Sequence, residues 1–285
     1  MANPIIREKL ARGEFFVAPG MQDMISAAIA NKVGYEIVYG TGYWLTASAL
    51  GLPDAGIATY TQMLDRMATL VKTSNAAVIA DADTGYGGLL NVHHTVKGYE
   101  AAGVTVIQLE DQEFPKKCGH TPYKRLIPLE DMVEKIRVAA DARQDKENFL
   151  IIARTDARQS EGLDGVLRRL DAYAAAGADI LFPEALTSQD EMRAACAAFA
   201  KPCMANMADG GLTPILPAQT LQDLGYALAI YPSMTSLVAA AAMEQALTAL
   251  KTRGEYADQP MFDFKEFCGL IGFQEVWDFE KTWAR

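Results

Sequence analysis

One feature limits this chain more than any other: short apolar runs alternate with amphipathic stretches from one end to the other. The runs are FFVA (15–18), EIVY (36–39), AVIAD (77–81), VTVIQLE (104–110), FLIIAR (149–154), DILFPE (179–184), PCMAN (202–206) and LAIYP (228–232). Each is apolar on both faces, as a parallel strand covered on both sides must be. Helical patterning fills the intervals, at 62–73, 92–102, 130–143, 162–176 and 188–199. Gly34, Gly103, Gly177 and Gly225 stand where helices should stop before the next strand. Eight strands and eight helices at even spacing predict a closed (β/α)8 barrel over one domain, residues 1–285, with a helical tail from about residue 254. A doubly wound open sheet is the alternative. Its fingerprint is missing, since GTGYWL after the second run is not GxGxxG, and no GxxxxGK occurs.

The formal charge of −10 argues against nucleic acid or an anionic membrane as partner, because both select basic patches. A small anion needs only local positive charge. No run of about 20 apolar residues predicts a membrane span, and the stretch from Ser236 to Leu250, interrupted by Glu244 and Gln245, predicts a packed helix. Four cysteines without CxxC spacing, behind an N-terminus lacking a signal-peptide core, predict reduced thiols in a cytoplasm. Cys196 and Cys203 sit among apolar neighbours and read as core residues.

In a barrel of this kind the active site lies at the C-terminal strand ends. Those ends read Thr41-Gly42, Asp81 with Asp83, Glu110-Asp111, Arg154, Glu184, Asn206 and Tyr231. Strands three to seven all end in a charge or an amide, which points to one shared site. Asp81 and Asp83, two apart, should share a strand face, and like charges so close require a cation between them. Mg2+ suits one or two carboxylates plus waters, and Asp54 in GLPD is a third candidate. Zinc lacks a histidine cluster, since His93 and His94 read as surface residues at a helix start. In LEDQEFPKKCGH (109–120), Lys116, Lys117 and His120 flank Cys118 and should favour its thiolate, lowering its pKa. Gly119 permits unusual backbone angles there. The stretch from Glu113 to Tyr123, with Pro115 and Pro122, has little apolar surface to anchor it and reads as a mobile lid.

GLPD, ADADTGYGG, LEDQ, KKCGH, ARTDA, EGLD, FPEA and GGLTP, in this order over nearly the whole chain, resemble the isocitrate lyase and phosphoenolpyruvate mutase superfamily. The resemblance implies a barrel with a swapped eighth helix, Mg2+ or substituting Mn2+, and a 2-hydroxy or 2-oxo acid substrate. It implies Asp83 as direct metal ligand, with Asp81, Asp54 and Glu110 holding the metal's waters. Thr41, Gly42 and Tyr43 would grip a carboxylate through backbone amides, and Arg154 would bind the same acid. Glu184, Asn206 and Gly119 would line the pocket. Tyr39 would stabilise or accept the hydroxyl proton, and Cys118 would be the general acid, tuned by His120 and Lys117.

The implied reaction is cleavage of a 2-methylisocitrate- or 2,3-dimethylmalate-type acid into a 2-oxo acid and a second carboxylic acid. Hydrolysis of oxaloacetate to oxalate and acetate is the alternative, followed by P–C bond chemistry on phosphonopyruvate and, outside enzymes, a barrel that senses dicarboxylates. Two departures bear on the substrate: Tyr43 and Trp44 follow Gly42 where methylisocitrate-cleaving members carry glycines, and YPSM (231–234) differs from their pattern. The tail beginning at Phe262, FDFKEFCGLIGFQEVWDFEKTW, holds five Phe and two Trp. That bulk, with the resemblance, implies a homotetramer that buries it.

Overall fold

The computed structural model describes residues 2–121, 123–256 and 258–283. Among them are eight strands: β1 (Phe16–Met21), β2 (Ile37–Gly40), β3 (Ala77–Asp81), β4 (Val106–Glu110), β5 (Leu150–Thr155), β6 (Ile180–Pro183), β7 (Met204–Asn206) and β8 (Leu228–Tyr231). All pair in parallel in the order β6-β5-β4-β3-β2-β1-β8-β7. A parallel bridge between Leu181 and Cys203 joins the two ends, with the Leu181 N–H donating to the Pro202 carbonyl at 2.9 Å. The sheet therefore closes as a TIM-type barrel, and every strand overlaps an apolar run of the sequence. β1 extends past its run to Met21 because Gly20 and Met21 pair with Tyr39 and Gly40.

The surrounding helices are α1 (Ile5–Ala11), α2 (Met24–Val33), α3 (Gly42–Leu50), α4 (Tyr60–Thr73), α5 (Leu89–Ala101), α6 (Leu129–Ala142), α7 (Arg158–Ala176), α8 (Gln189–Ala197), α9 (Ala218–Asp223), α10 (Met234–Arg253), α11 (Phe264–Leu270) and α12 (Phe273–Trp283). Gly34 and Gly177 end α2 and α7 in the left-handed conformation, at φ 89° and 118°. Within α7, Gly162 at φ 69° interrupts the first turns, so the regular helix starts where the sequence pattern does.

Strand alternation splits the core into two layers. One fills the barrel interior with Phe16, Ile37, Ile79, Val106, Ile152 and Phe182, plugged from below by the fully buried Ile6 of α1. The other lies between sheet and helices and contains Met67, Val96, Ile107, Ile136 and Leu170. Two apolar layers back to back explain why each strand is apolar on both faces. Cys203 is buried, whereas Cys196 is only partly covered. The expectation of a packed helix at Ser236–Leu250 needs correction: α10 forms but buries Ser236 and Ala249, leaving Leu237, Val238, Met243 and Leu247 exposed. Among the described residues, no helix is long and apolar enough to cross a membrane.

Leu170 of α7 is fully buried in the outer layer. Leu170→Ala should lower stability by about 2–5 kcal/mol through the cavity it leaves, measured by urea denaturation.

Candidate active site

Strand register decides which side chains meet. The interior-facing positions are apolar along most of each strand and turn polar at the C-terminal end: Ile79 then Asp81, Val106 then Gln108 and Glu110, Ile152 then Arg154, Phe182 then Glu184, Met204 then Asn206. Pairing places Asp81 opposite Gln108 and Glu110 opposite Arg154. These ends surround a cavity of about 320 Å³. Of the residues expected from sequence, Tyr39, Thr41, Tyr43, Asp54, Asp81, Glu110, Lys117, Cys118, Gly119, His120, Arg154, Glu184 and Asn206 line it. Gly42 and Asp83 lie directly behind. A Cβ at Gly42 would stand 2.9 Å from the Asp81 carboxylate, and Asp83 pairs with the cavity-lining Lys116 at 2.7 Å.

Asp83 arrives by another route than strand alternation. β3 ends at Asp81, and Asp83 adopts φ 49°, in the left-handed region. That conformation costs a residue with a Cβ about 1–2 kcal/mol, so the turn must be held from outside. The Asp83 N–H donates to Asp81 Oδ1 at 3.0 Å, and the Asp83 carbonyl accepts from the Glu110 N–H at 2.9 Å. Lys135 Nζ donates to the Thr84 carbonyl at 2.8 Å and Thr95 Oγ1 to the Gly85 carbonyl at 3.3 Å.

The acids are crowded and short of positive charge. Lys116, 3% exposed, places its ammonium between Asp54 and Asp83. Arg154 makes two hydrogen bonds to Asp156, at 2.9 and 3.0 Å, and approaches Glu184 at 3.3 Å and Glu110 at 3.5 Å. Burial pushes the Asp83 carboxyl up to about 6; Lys116 opposes this while Asp81 and Asp54 add to it. Burial also holds Glu110 well above the usual carboxylate range, against Arg154 and Lys116. Among the described residues, Glu110 Oε1 is buried without a hydrogen-bond partner. Unmatched carboxylate oxygens in a low-dielectric pocket suit a hard divalent cation. Among the described residues, no group of three or more His, Cys, Asp or Glu side chains is arranged to hold a metal ion, so a cation here would rely on one or two carboxylates and its own waters.

Beside the acids, the N-terminal turn of α3 borders the cavity through Thr41, Tyr43 and Trp44. Its cap, Thr41, makes no side-chain capping bond, so first-turn N–H groups remain to receive an anion. Tyr39 is buried, and its hydroxyl donates to Gln108 Oε1 at 3.1 Å while Gln108 Nε2 donates to Asp81 Oδ1 at 3.4 Å. Burial, then the Asp81 charge, push this phenol well above its usual range. Tyr39 is therefore a protonated phenol in this state and not a ready base.

The loop after β4 closes over the cavity, and three expectations about it change. First, it is anchored by polar contacts despite its scant apolar surface. The Gln112 side chain clamps Lys117, accepting its N–H at 3.0 Å and donating to its carbonyl at 2.8 Å. Lys124 binds the Gly119 carbonyl and Asp156, and the Thr121 hydroxyl donates to the Cys118 carbonyl at 2.7 Å; Pro122 lies outside the described residues. Second, Gly119 has no positive φ; a Cβ there would collide with the Arg154 guanidinium. Third, the Cys118 thiol is pushed up by burial, which outweighs the lowering from the His120 N–H and Arg154. Lys116 does not lower it because its ammonium is engaged by Asp54 and Asp83, and Lys117 is exposed. His120 Nδ1 accepts the Leu212 N–H at 3.2 Å, which leaves the ring proton on Nε2, 3.5 Å from Glu184 Oε1.

Several contributors escaped the sequence reading: Asp156, Gln108, Lys124, Lys135 and the acid-binding role of Lys116. Asp156 follows Arg154 by two residues in ARTDA, and Gln108 is an interior-facing polar residue inside an apolar run. Both signals were available. Nothing local marks Lys124 or Lys135.

Fold and site together define a barrel enzyme with an acid-rich, anion-accepting mouth. The profile of the phosphoenolpyruvate phosphomutase family matches residues 6–251, and the chain belongs to this family. It is 43% identical to 2,3-dimethylmalate lyase of Eubacterium barkeri, over 98% of this chain and 97% of that one. It is 40% identical to 2-methylisocitrate lyase of Halalkalibacterium halodurans, over 94% and 88%. Among solved structures, oxaloacetate acetylhydrolase bound to 3,3-difluorooxalacetate superposes with a TM-score of 0.92 at 32% identity, covering 97% and 95%. Phosphonopyruvate hydrolase with oxalate and Mg2+ superposes at 0.88 and 28% identity, covering both chains fully.

A buried neutral thiol reacts slowly with alkylating agents, because the thiolate is the nucleophile. Iodoacetamide labelling of Cys118, followed by peptide mass spectrometry against pH, should give an apparent pKa above that of free cysteine. A value below 8 would contradict the buried environment.

Proposed function

We propose that the protein is a divalent-cation-dependent carbon–carbon lyase. Its substrate is a small 2-hydroxy acid of the 2,3-dimethylmalate or 2-methylisocitrate type, split into a 2-oxo acid and a second carboxylic acid. The observation that carries this reading is the pairing, across one cavity, of a cation-short carboxylate cluster with a protonated thiol on a docked loop.

Asp83 would hold Mg2+ or Mn2+ directly, with Asp81, Asp54 and Glu110 on its waters; bound there, the cation polarises the 2-hydroxy carboxylate and offsets charge as it develops. The first-turn amides of α3 and the Arg154 guanidinium receive the substrate carboxylate. Tyr39 would take the substrate hydroxyl proton as a phenolate, its own proton having passed to solvent water before the loop closes; a cation held by Asp83 and Asp81 would favour that phenolate by offsetting the Asp81 charge. As the C2–C3 bond breaks, C2 becomes a carbonyl and the electron pair passes to C3, giving the enolate of the second acid. Cys118 Sγ–H donates its proton to that carbon. A raised thiol pKa serves this role, since the proton is present at neutral pH. His120, oriented by Leu212 and facing Glu184, holds the loop end. The docked loop excludes water.

Hydrolysis of oxaloacetate is the second reading, favoured by the close superposition on oxaloacetate acetylhydrolase. Incubation with Mg2+ and 2,3-dimethylmalate, 2-methylisocitrate, isocitrate, oxaloacetate and phosphonopyruvate, with products identified by NMR, should give a 2-oxo acid and a second acid from one of the first two. Oxalate plus acetate as the main products would favour the hydrolase instead, and full activity in EDTA would remove the cation.

The proposal extends to assembly. α10 exposes Val238, Met243 and Leu247, while α11 and α12 expose Phe264, Phe273, Trp277, Phe279 and Trp283. So much exposed apolar bulk in adjacent helices suits burial against other copies, in a cytoplasmic homotetramer with exchanged helices. Light scattering should give about four times the chain mass of 30.9 kDa. A monomer at micromolar concentration would overturn it.

A further inference from the structure

One wall of the cavity differs in kind from the rest. Tyr43, Trp44, Ala208, Ile230, Pro232 and Leu237 all line it, and the rings of Tyr43 and Trp44 touch with centroids 4.9 Å apart. Two chain segments make most of this surface and are tied together: the Asp209 N–H donates to Ser233 Oγ at 3.0 Å, and that hydroxyl donates to Asp209 Oδ2 at 2.9 Å. The charged group at the rim of the wall, the exposed Asp209, is thus an acid.

Four backbone donors of the 207–212 segment are already engaged, and the first-turn amides of α3 are the ones that receive the carboxylate common to both kinds of acid. The N–H of Met207 donates to the Ile230 carbonyl, that of Gly211 to the Ala208 carbonyl, that of Asp209 to Ser233 and that of Leu212 to His120. The cavity's cations stand elsewhere: Lys116 on Asp54 and Asp83, Arg154 among Asp156, Glu184 and Glu110, and Lys117 on the loop. A carboxylate pressed against this wall would lose its hydration, find few donors and face Asp209. An alkyl group there gains about fourfold in affinity per buried methyl.

We infer that this wall selects a dicarboxylate carrying alkyl substituents and rejects a third carboxylate, with Trp44, Ala208 and Leu237 as specificity-determining residues. The inference rests on the lyase reading of the site and narrows its substrate from di- or tricarboxylic acids to alkylated dicarboxylic acids.

Selectivity and cleavage are measured separately. For binding, the full-length protein with Mg2+ is titrated calorimetrically with two uncleavable probes, 2,3-dimethylsuccinate and propane-1,2,3-tricarboxylate. The dicarboxylate should bind at least tenfold more tightly. Leu237→Lys, at a partly exposed position of α10, should cut that preference at least tenfold, and Ala208→Ser, which adds a hydroxyl donor, should reduce it in the same direction. Equal or tighter binding of the tricarboxylate to the wild type, or an unchanged preference in both folded variants, would overturn the inference. For cleavage, 2,3-dimethylmalate is compared with 2-methylisocitrate. Preferred cleavage of the tricarboxylate sinks the inference and leaves the lyase reading intact. Selective binding without cleavage of either acid upholds the inference while the lyase reading falls.

Discussion

The arrangement hangs on Arg154. Its guanidinium, buried at the end of β5, is the cation around which Asp156, Glu184 and Glu110 gather. Removing one partner from such a buried cluster typically costs about 3–5 kcal/mol, because charges are left without compensation. Interior-facing positions on neighbouring strands supply two of the acids and the arginine, so the barrel's register and the site's electrostatics are one design. Gly119 belongs to it as well, since the closed loop can lie over Arg154 only where no Cβ intervenes.

A second cation links the loop to the other acids. Lys116 comes from the loop yet lies buried between Asp54 and Asp83. Cys118 and His120 follow within four residues, so docking one end of the motif delivers the thiol and the imidazole to the cavity. Loop closure and the charge balance of the cluster are thereby coupled. Lys135 steadies the same region from α6 through Thr84, next to the left-handed Asp83.

The barrel was legible because its signal is periodic and repeated eight times. The strand-end residues were legible for the same reason: once the strands are placed, Asp81, Glu110, Arg154, Glu184 and Asn206 fall on interior-facing positions. What could not be read was who neutralises whom. Sequence neighbours suggested that Lys116 serves Cys118, but three-dimensional proximity gives it to Asp54 and Asp83, and burial then raises the thiol instead of lowering it. Asp83 was placed at the right locus by the wrong geometry, since a left-handed turn, not strand alternation, carries it there. The exposure of α10 was hidden for a different reason: an apolar helix reads the same whether its own barrel or another copy covers it.

The central proposal is that Asp83 holds a divalent cation at the carboxylate cluster. Isothermal titration of Mg2+ into the metal-stripped wild type and Asp83→Ala tests it directly, with circular dichroism confirming that both are folded. The account predicts one Mg2+ per chain in the wild type and at least a hundredfold weaker binding in Asp83→Ala. Equal Mg2+ affinity in the two proteins, or no binding to the wild type at millimolar Mg2+, would contradict it.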